Sequence, residues 1–484
     1  VAHNAGQSAF TIFLPKGINL GISNSDCLYR GFLLKSMQTL RPYQTQAISM
    51  LRTSIAKHTK SILCVPTGGG KTTIVSSMIQ SAISKQKRIL FLAHRSELLQ
   101  QATERLQSFG LHPGLIQGNN TRTHPCLNVA SVQTLRNRLN IIQPPDIIFI
   151  DECHLSMANS YRKILAHFPN AYVVGMTATP TRLDGKPLGD VYNDIVAPIK
   201  VSELTDNGFL CRVRKFGSKE HIDLEGVETT QGDFNPKQLF QKFNEKNLYH
   251  GVVNNYLQFA KDRPFICFCV NVEHSQKTAQ EFQSNGINCK HLDGESKQSE
   301  RDITIAQFRA GIIQGITNVG LFTEGFDVPH VSCVILNRAT QSLALYLQMI
   351  GRGLRPYKDK SDCIIIDHGD NVLRHGWYDH EHEWSLTIKK KKSDKKQAMS
   401  VRLCTGCQAM MPVNLRTCPE CGAQKIKKDK DLVHTEFAEL AKPKVPEHLR
   451  KPFSQMSRQE LEEFADFKKY KKGWVYKQLQ LRTK

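Results

Sequence analysis

No stretch of this chain approaches the roughly 18 consecutive apolar residues that a membrane-spanning helix needs, although 40% of its residues are hydrophobic. That share therefore belongs to globular cores. Phe10–Leu14 is too short to be the apolar segment of a secretory signal. Acidic residues are also in short supply: 44 Asp+Glu face 65 Lys+Arg, which leaves a formal charge of +21 and a pI near 9.4. Such an excess points to a polyanionic partner, most simply nucleic acid. Two further constellations are missing. No carboxylate cluster of nuclease type stands out, and no Ser-His-Asp set has supporting context. His368, just after a strand end at Asp367, reads as an ordinary loop histidine.

At 484 residues the chain has room for two or three domains. Its charge is uneven. Residues 389–484 hold 24 Lys+Arg against 11 Asp+Glu, so more than half of the excess lies in the last fifth of the sequence. Ten of the fourteen cysteines are scattered, several of them inside apolar runs (Cys64, Cys267, Cys269, Cys333, Cys363). They read as buried, reduced thiols of a cytosolic protein rather than as a disulfide framework. Residues 1–36 lack a clear period. Met37 directly precedes Gln38-Thr39-Leu40-Arg41-Pro42-Tyr43-Gln44, so the functional domain is expected to begin at residue 37, after a poorly ordered extension.

The most informative segment is Val65-Pro66-Thr67-Gly68-Gly69-Gly70-Lys71-Thr72. It follows the apolar run Ser61–Val65, which reads as a buried strand, and opens onto Thr73-Ile74-Val75, which reads as a helix start. Glycines let backbone N–H groups converge on phosphate oxygens, and the helix N-terminus adds a favourable field. Lys71 would reach the β- and γ-phosphates, and the Thr72 hydroxyl would ligand Mg²⁺. Val65 stands where the strict pattern has its first glycine. Eighty residues later, Asp151-Glu152-Cys153-His154 ends a second apolar strand, Asp146–Ile150. There Asp151 would hold the metal and Glu152 would polarise the attacking water. Together the two segments imply hydrolysis of a nucleoside triphosphate.

Around them the chain alternates apolar runs with helical patterns. Ile62–Val65, Ile89–Leu92, Asn128–Val132, Ile147–Ile150 and Tyr172–Met176 predict one parallel sheet; Phe265–Val270, Cys289–Leu292, Gly315–Val319, Val331–Leu336 and Cys363–Ile366 predict a second. Gln348-Met349-Ile350-Gly351-Arg352-Gly353-Leu354-Arg355 places Arg352 and Arg355 three residues apart, on one face if helical. A guanidinium delivered across a cleft stabilises charge developing on a γ-phosphate.

These segments, in this order, resemble a superfamily 2 helicase of the DExH type over about Leu40 to Asp370. The resemblance implies an α/β fold with two tandem RecA-like domains. Leu40–Gln44 resembles the adenine-reading segment, with Arg41 and Gln44 at the base; Pro66, Thr67, Gly68, Gly69, Gly70, Lys71, Thr72 and Thr73 form the nucleotide loop. Ala93-His94-Arg95 and Ser131-Val132-Gln133-Thr134 resemble segments touching the nucleic-acid backbone, through Arg95, Gln133 and Thr134. His154, Thr177, Thr179 and Gln348 would couple hydrolysis to movement. Thr323-Glu324-Gly325-Phe326-Asp327 resembles the motif joining nucleotide and strand, with Thr323 on nucleic acid and Gly325 and Asp327 near the ribose. Closer still, the chain is similar to bacterial RadD-like DNA helicases, on Leu40–Gln44, Asp151–His154, Thr323–Pro329, Gln348–Arg355 and Asp362–Asp367. That implies a role in DNA repair or recombination, repair or recombination proteins as partners, and a cytoplasmic place in the bacterial cytosol or nucleoid.

Beyond the motor, Cys404-Thr405-Gly406-Cys407 and Cys418-Pro419-Glu420-Cys421 offer four thiolates at structural-zinc spacing. Four sulfurs leave no open coordination position, so the site would fold a small module rather than catalyse. The run Lys389–Lys396 reads first as a solvated linker, with phosphate tracking or, in a nucleated cell, a localisation signal as the alternatives. Near the end, Lys468–Tyr476 interleaves lysines with Tyr470, Trp474 and Tyr476; Trp474 would either stack on a base or anchor a terminal helix. The expected domains are 37–205 and 251–388, joined by a connector at 206–250, then a linker at 389–400, a zinc knuckle at 401–425 and a basic tail at 426–484. The expected activity is ATP-dependent movement along DNA with ATP, Mg²⁺ and Zn²⁺. The alternatives are a double-strand translocase or restriction-type motor subunit, an RNA helicase, and a non-enzymatic nucleic-acid scaffold.

Overall fold

The computed structural model describes residues 39–182, 187–217, 224–230, 232–245, 248–323, 328–387, 401–424, 446–468, 470 and 473–480. The chain divides into two compact units, one reaching to residue 425 and one from residue 426 on. Among the described residues no helix is long and apolar enough to cross a membrane.

The first domain opens with α1 (Pro42–Lys57), which carries proline at the first helical position, where its missing N–H costs nothing. Then come β1 (Lys60–Cys64), α2 (Lys71–Ile83), β2 (Ile89–Ala93), α3 (Ser96–Ser108), β3 (Gly114–Gln117), β4 (Asn120–Arg122), β5 (Leu127–Ser131), α4 (Val132–Leu135), β6 (Ile147–Asp151), α5 (Asn159–His167), β7 (Tyr172–Thr177) and β8 (Asp194–Val196). The strands form one sheet in the order β4-β3-β5-β2-β6-β7-β1-β8, parallel throughout except for the β3–β4 pair. Its central strands are apolar on both faces because both are covered. Leu63, Phe91, Val129, Phe149 and Val174 pack beside Leu51, Ile79 and Leu99. The alternate residues Ile62, Leu90, Ile148 and Val173 pack beside Ile164 and Tyr192. Each such side chain contributes about 1.5–3 kcal/mol on burial.

After α6 (Val201–Asp206) the chain crosses to the second domain. Residues 206–250, expected as a connector, are more ordered than that word implies. β9 (Arg212–Gly217) pairs along its whole length with the last strand of the second sheet. β10 (Thr229–Thr230) and β11 (Asp233–Phe234) form a small hairpin, followed by α7 (Pro236–Glu245). Asp233 fastens this hairpin to the second domain. Its Oδ2 accepts from Arg338 Nη2 at 2.8 Å and Thr340 Oγ1 at 2.9 Å, and its Oδ1 accepts from the Gln341 N–H at 2.7 Å.

The second domain contains α8 (Leu248–Ala260), β12 (Phe265–Cys269), α9 (Val272–Ser284), β13 (Cys289–Leu292), α10 (Gln298–Arg309), β14 (Gly315–Asn318), β15 (Cys333–Asn337), α11 (Leu343–Gly351), β16 (Asp362–Asp367) and α12 (Asn371–His375). Its all-parallel sheet runs β13-β14-β12-β15-β16-β9. Ile266, Phe268, Val334 and Ile365 face Tyr346 and Ile350 of α11, whereas Cys267, Cys269, Cys333 and Ile364 face Tyr256 and Phe282. The chain then returns to the first domain. Leu386 packs at Gly189 with no room for a side chain there, and Lys200 pairs with Glu381 at 2.5 Å.

The hairpin of β17 (Val401–Leu403) and β18 (Met410–Pro412) carries the cysteines and lies against the second domain. The Met410 side chain fills the space that any side chain on Gly217 would need, and Arg214 pairs with Glu420 at 3.4 Å. The expected linker at 389–400 and extension at 1–36 lie outside the described residues.

The second unit corrects the expectation of a plain basic tail. α13 (Arg458–Phe467) is started by Ser457, whose hydroxyl accepts from the Glu460 N–H while Glu460 accepts from the Ser457 N–H. With α14 (Trp474–Gln480) it builds a small core from Leu449, Met456, Leu461 and Phe464, against which Trp474, Val475 and Leu479 pack.

Candidate nucleotide and nucleic-acid site

Because the strands of the first sheet are parallel, their carboxyl ends share one edge, where ligands of open α/β sheets bind. The loop from Val65 to Gly70 leaves β1 at that edge and runs straight into α2. Val65, the departure from the strict glycine pattern, still belongs to the sheet, its N–H donating to Thr177 O at 3.1 Å. Gly68 and Gly70 sit at φ +83° and +78°, which side chains rarely adopt. A Cβ on Gly68, Gly69 or Gly70 would come within 2.8 Å of Leu210, 2.7 Å of Val65 or 2.6 Å of Gln44 Nε2, respectively. The loop is thus a bare-backbone cradle of the kind that suits phosphate oxygens.

Tyr43 Oη donates to Gly69 O at 2.7 Å and pins the loop to α1. Gln44 Oε1 accepts from the Arg41 N–H at 3.0 Å, so its amide nitrogen faces Gly70. The Arg41 guanidinium lies over the Phe209 ring, 4.2 Å from its centroid. Phe209 was not foreseen, because only the crossing after α6 brings it back to Arg41. Arg105 was also missed: its Nη2 donates to Thr73 Oγ1 at 2.6 Å, yet no motif contains it.

Lys71 Nζ is 3.9 Å from Glu152 Oε1. Glu152 occupies the left-handed region at φ +47°, a strained position for a non-glycine residue that is common at functional sites. Its Oε2 accepts from Thr177 Oγ1 at 3.4 Å and lies 3.3 Å from His154 Nδ1. Thr177 Oγ1 accepts from the Thr179 N–H at 3.1 Å, and its single proton is shared between Glu152 and Thr179 O, the latter also at 3.1 Å. Asp151 Oδ1 accepts from the Glu152 N–H at 3.0 Å. Lys71, Asp151, Glu152, His154, Thr177 and Thr179 therefore form one connected polar group. Burial pushes the neighbouring Cys64 thiol up to about 12, which leaves it neutral and inert.

The second domain meets this edge through α11. A Cβ on Gly351 would stand 2.6 Å from the Thr67 side chain, and Arg355 Cγ passes 3.5 Å from the Cβ position of Gly68. Burial pulls the Arg355 guanidinium down to about 10, still charged at neutral pH. Arg352 Nη2 donates to Thr323 O at 2.5 Å, and Gln348 is buried in the same helix.

Of the expected nucleic-acid residues, Arg95 follows β2 and donates to Leu321 O of the second domain at 3.4 Å. Gln133 and Thr134 follow β5; Gln133 is exposed and accepts from Ser131 Oγ at 2.9 Å. Two expectations need correction. Thr323 is buried and its hydroxyl is committed to Gly320 O at 2.8 Å, so it braces a turn rather than presenting itself to a strand. Trp474 packs in the aromatic core of the helical unit, stacked on Phe464 at 5.9 Å and edge-on to Phe453 at 5.3 Å, which takes its ring for packing. Gly325 and Asp327 lie outside the described residues. A Ser275–His291–Asp293 chain, invisible in sequence, does exist: Ser275 Oγ is 2.7 Å from His291 Nδ1, and His291 Nε2 is 3.2 Å from Asp293 Oδ2. Ser275 is fully buried, which closes it to any substrate.

The four cysteine sulfurs of the small module lie within 4.8 Å of one another. Cys404 and Cys421 are 3.6 Å apart and Cys407 and Cys418 are 3.7 Å apart. Thiolates at about 2.3 Å around a tetrahedral zinc ion stand ~3.8 Å from each other, whereas a disulfide needs about 2.05 Å. Both turns fold alike. The N–H of Gln408 donates to Cys404 O and that of Cys404 to Ala409 O; the N–H of Gly422 donates to Cys418 O and that of Cys418 to Ala423 O. The residues fit a structural zinc ion.

Residues 37–182 match the type III restriction enzyme res subunit family, and residues 249–356 match the helicase conserved C-terminal domain. A 51.5 kDa protein of a Lactococcus phage (isolate 7-9) is 32% identical over 359 residues, which cover 74% of this chain and 76% of that protein. IRC3 of Saccharomyces cerevisiae, named as an ATP-dependent helicase, is 36% identical over 357 residues, 69% of this chain and 52% of that protein. The chain therefore spans only about half of IRC3. Among solved structures, a fragment assigned as the HsdR subunit of a type I restriction enzyme from Vibrio vulnificus superposes with a TM-score of 0.56 at 22% identity, over 70% of this chain and 65% of that one. With both helicase domains matched in order on two tandem, mostly parallel sheets, the chain belongs to the superfamily 2 helicases, a family of ATP-hydrolysing enzymes.

Proposed function

We propose that this chain is a motor that hydrolyses ATP to move along, or unwind, DNA. The contact across the cleft carries the reading: the glycine loop of the first domain meets α11 of the second at Thr67 and Gly351, with Arg352 and Arg355 just beyond. A nucleotide on that loop lies between two bodies, so binding and losing it changes how they close.

The backbone of Gly68–Lys71 and the Lys71 ammonium bind the β- and γ-phosphates, while Gln44 and Arg41 hold the base beside Phe209. Thr72 and Asp151 would hold Mg²⁺, which would offset phosphate charge when bound. Glu152 orients the attacking water and takes its proton, with its strained backbone and its contacts to Lys71, His154 and Thr177 fixing the carboxylate. Arg352 and Arg355 stabilise charge on the γ-phosphate from the opposite side. Thr177 and Thr179 pass the change onward, and Arg95, Gln133 and Thr134 grip the nucleic-acid backbone. Zn²⁺ held by Cys404, Cys407, Cys418 and Cys421 would keep the small module folded.

The test is ATP hydrolysis with single-stranded DNA, duplex DNA, forked DNA and RNA, beside Lys71→Ala and Glu152→Gln. Stimulation by a DNA form that both substitutions abolish supports the motor. Background hydrolysis with every polymer sinks it; stimulation by RNA alone reassigns the track.

A second reading is a duplex translocase that does not separate strands, favoured by the match of residues 37–182 to the restriction res subunit family. Displacement of a third strand from a triplex without unwinding of a fork would select it. A role in repair or recombination rests on the RadD-like resemblance of the motifs alone.

A further inference from the structure

Between Arg355 and β16 runs a short segment that belongs to none of the motifs, yet it holds the turn that carries Arg355. The chain leaves α11 after Gly351 and reverses over Tyr357–Lys360. The Lys360 N–H donates to Tyr357 O at 3.1 Å, and Asp359 takes φ +62° in the reversal. The Lys360 side chain is thereby turned back onto the residues just before it. Its Nζ donates to Gly353 O at 2.7 Å, to Arg355 O at 2.8 Å and to Pro329 O at 3.2 Å. An ammonium has three protons, so these carbonyls use all of them.

The chain between the domains braces the same turn. Because β9 pairs with β16, Cys211, the residue before β9, arrives beside Leu354. The Cys211 N–H donates to Leu354 O at 2.8 Å, and its thiol donates to Arg355 O at 3.3 Å. Gly353, Leu354 and Arg355 thus present three consecutive carbonyls, and each of them is held. Among the described residues no carboxylate pairs with Lys360; Asp362, two residues on, pairs with Arg263. Burial pulls the Lys360 ammonium below the usual lysine range, and the charges of Arg355 and Arg263 add to that effect. A cation in such a place is costly unless fully hydrogen-bonded, and carbonyls at a helix C-terminus are the acceptors that favour one. The Thr323–Pro329 segment is tied to this turn at both ends, by Arg352 on Thr323 O and by Lys360 on Pro329 O.

We propose that Lys360 is a positioning residue for ATP hydrolysis: by fastening the carbonyls of Gly353 and Arg355 to Pro329, it sets where the Arg355 guanidinium stands when the cleft closes. It rests on the motor reading above, in which Arg355 acts on the γ-phosphate. Lys360 itself touches no nucleotide, and its whole effect passes through Arg355. Without the ammonium, two carbonyls of the turn lose a donor that nothing else on the turn replaces in kind, and the turn relaxes away from the glycine loop.

The experiment measures ATP hydrolysis by the full chain with the polymer that stimulates it best, beside thermal melts. Wild type is compared with Lys360→Met, Arg355→Ala and the double variant. Methionine keeps most of the apolar stem and removes the charge and its donors. Lys360→Met should lower kcat by about 10²-fold, the cost of a misplacement of ~1 Å. The KM for ATP should change by no more than about twofold, because the glycine loop and Gln44 are untouched. In the Arg355→Ala background the same substitution should lower kcat by less than about twofold, since residues that act as a unit are not additive. Lys360→Arg, a cation with a planar fork in place of three tetrahedral donors, should fall between wild type and Lys360→Met. If Lys360→Met melts below the assay temperature, Lys360→Arg carries the same comparison with and without Arg355. An equal fold-loss in both backgrounds would overturn the proposal, because a residue that only supports the fold acts independently of Arg355. Wild-type kcat in Lys360→Met would overturn it too, with the motor left intact. Failure of wild type to hydrolyse ATP with any polymer would instead overturn the motor reading.

Discussion

Thr67 of the glycine loop and Gly351 of α11 touch across the domain cleft, so closely that a Cβ on Gly351 would stand 2.6 Å from the Thr67 Cβ. Gly351→Ala would favour the helix itself by about 1 kcal/mol, so its effect isolates the contact. The added methyl holds the arginine turn away from the loop, and misplacement by about 1 Å can cost 10²-fold in rate. Turnover should fall by about that factor with no drop in melting temperature. Wild-type turnover would show that catalysis does not use this closure.

Arg355→Ala should lower kcat by about 10³ with a smaller change in ATP affinity, because the guanidinium acts on charge that develops during transfer. Arg355→Lys should not restore the rate, since an ammonium lacks the planar fork. Arg352→Ala should add a loss of stability, because Arg352 also holds Thr323 O. Steady-state kinetics beside thermal melts separate these effects. Equal melting temperatures for the two alanine variants would mean that the Thr323 bond contributes nothing measurable.

All ten strands expected from apolar runs are present, most of them because they are buried on both faces; β13, Cys-Lys-His-Leu at a sheet edge with Lys290 exposed, is the exception. Two of the strands that sequence missed have the opposite property. β4 is Asn-Thr-Arg and wholly exposed, and β9 is Arg-Val-Arg-Lys-Phe-Gly at a sheet edge. Neither carries a period, and each is ordered by its neighbour. The nucleotide loop was legible because phosphate binding constrains consecutive residues. Phe209 and Arg105 were not, since their contacts with Arg41 and Thr73 span 168 and 32 residues of chain. Trp474 illustrates the converse: lysines around an aromatic ring fitted a stacking surface and a helix anchor equally well, and a unit this small uses the ring for its own core.

The cysteine module should matter beyond its own size. Met410 reaches from it onto Gly217 of β9, so the edge of the second sheet is closed by the module. Metal analysis should give about one zinc per chain, and Cys418→Ser should release it, because a structural ion binds through its full ligand set. Met410→Ala should cost about 2–4 kcal/mol through the cavity it leaves. Urea unfolding of the intact chain measures both. Zinc-free protein with wild-type stability would show that the module folds without metal.

Acid should unfold the second domain, and the sign follows from three buried groups. Burial, helped by the charges of His368, Arg338 and Lys277, pulls His274 down to about 3, and burial pulls His368 down to about 4. Both stay neutral when folded but protonate near 6.5 when unfolded, so their stabilisation is complete above pH 6.5 and is lost as pH falls through the folded values. Each loses about 1.4 kcal/mol per pH unit over that window. Asp367 works the other way. Burial raises it to about 6, so its contribution is complete below its unfolded value of 3.8 and lost as pH rises through 6. Between pH 6 and 4 the two histidines outweigh the single carboxyl, and the net loss is about 1.4 kcal/mol per unit. His274→Gln removes one of the two histidine slopes and should flatten the acid limb, whatever it costs at pH 7.5. Denaturant unfolding at pH 7.5, 6 and 5 tests this; an acid limb as steep in the variant as in wild type would place the acid sensitivity elsewhere in the fold.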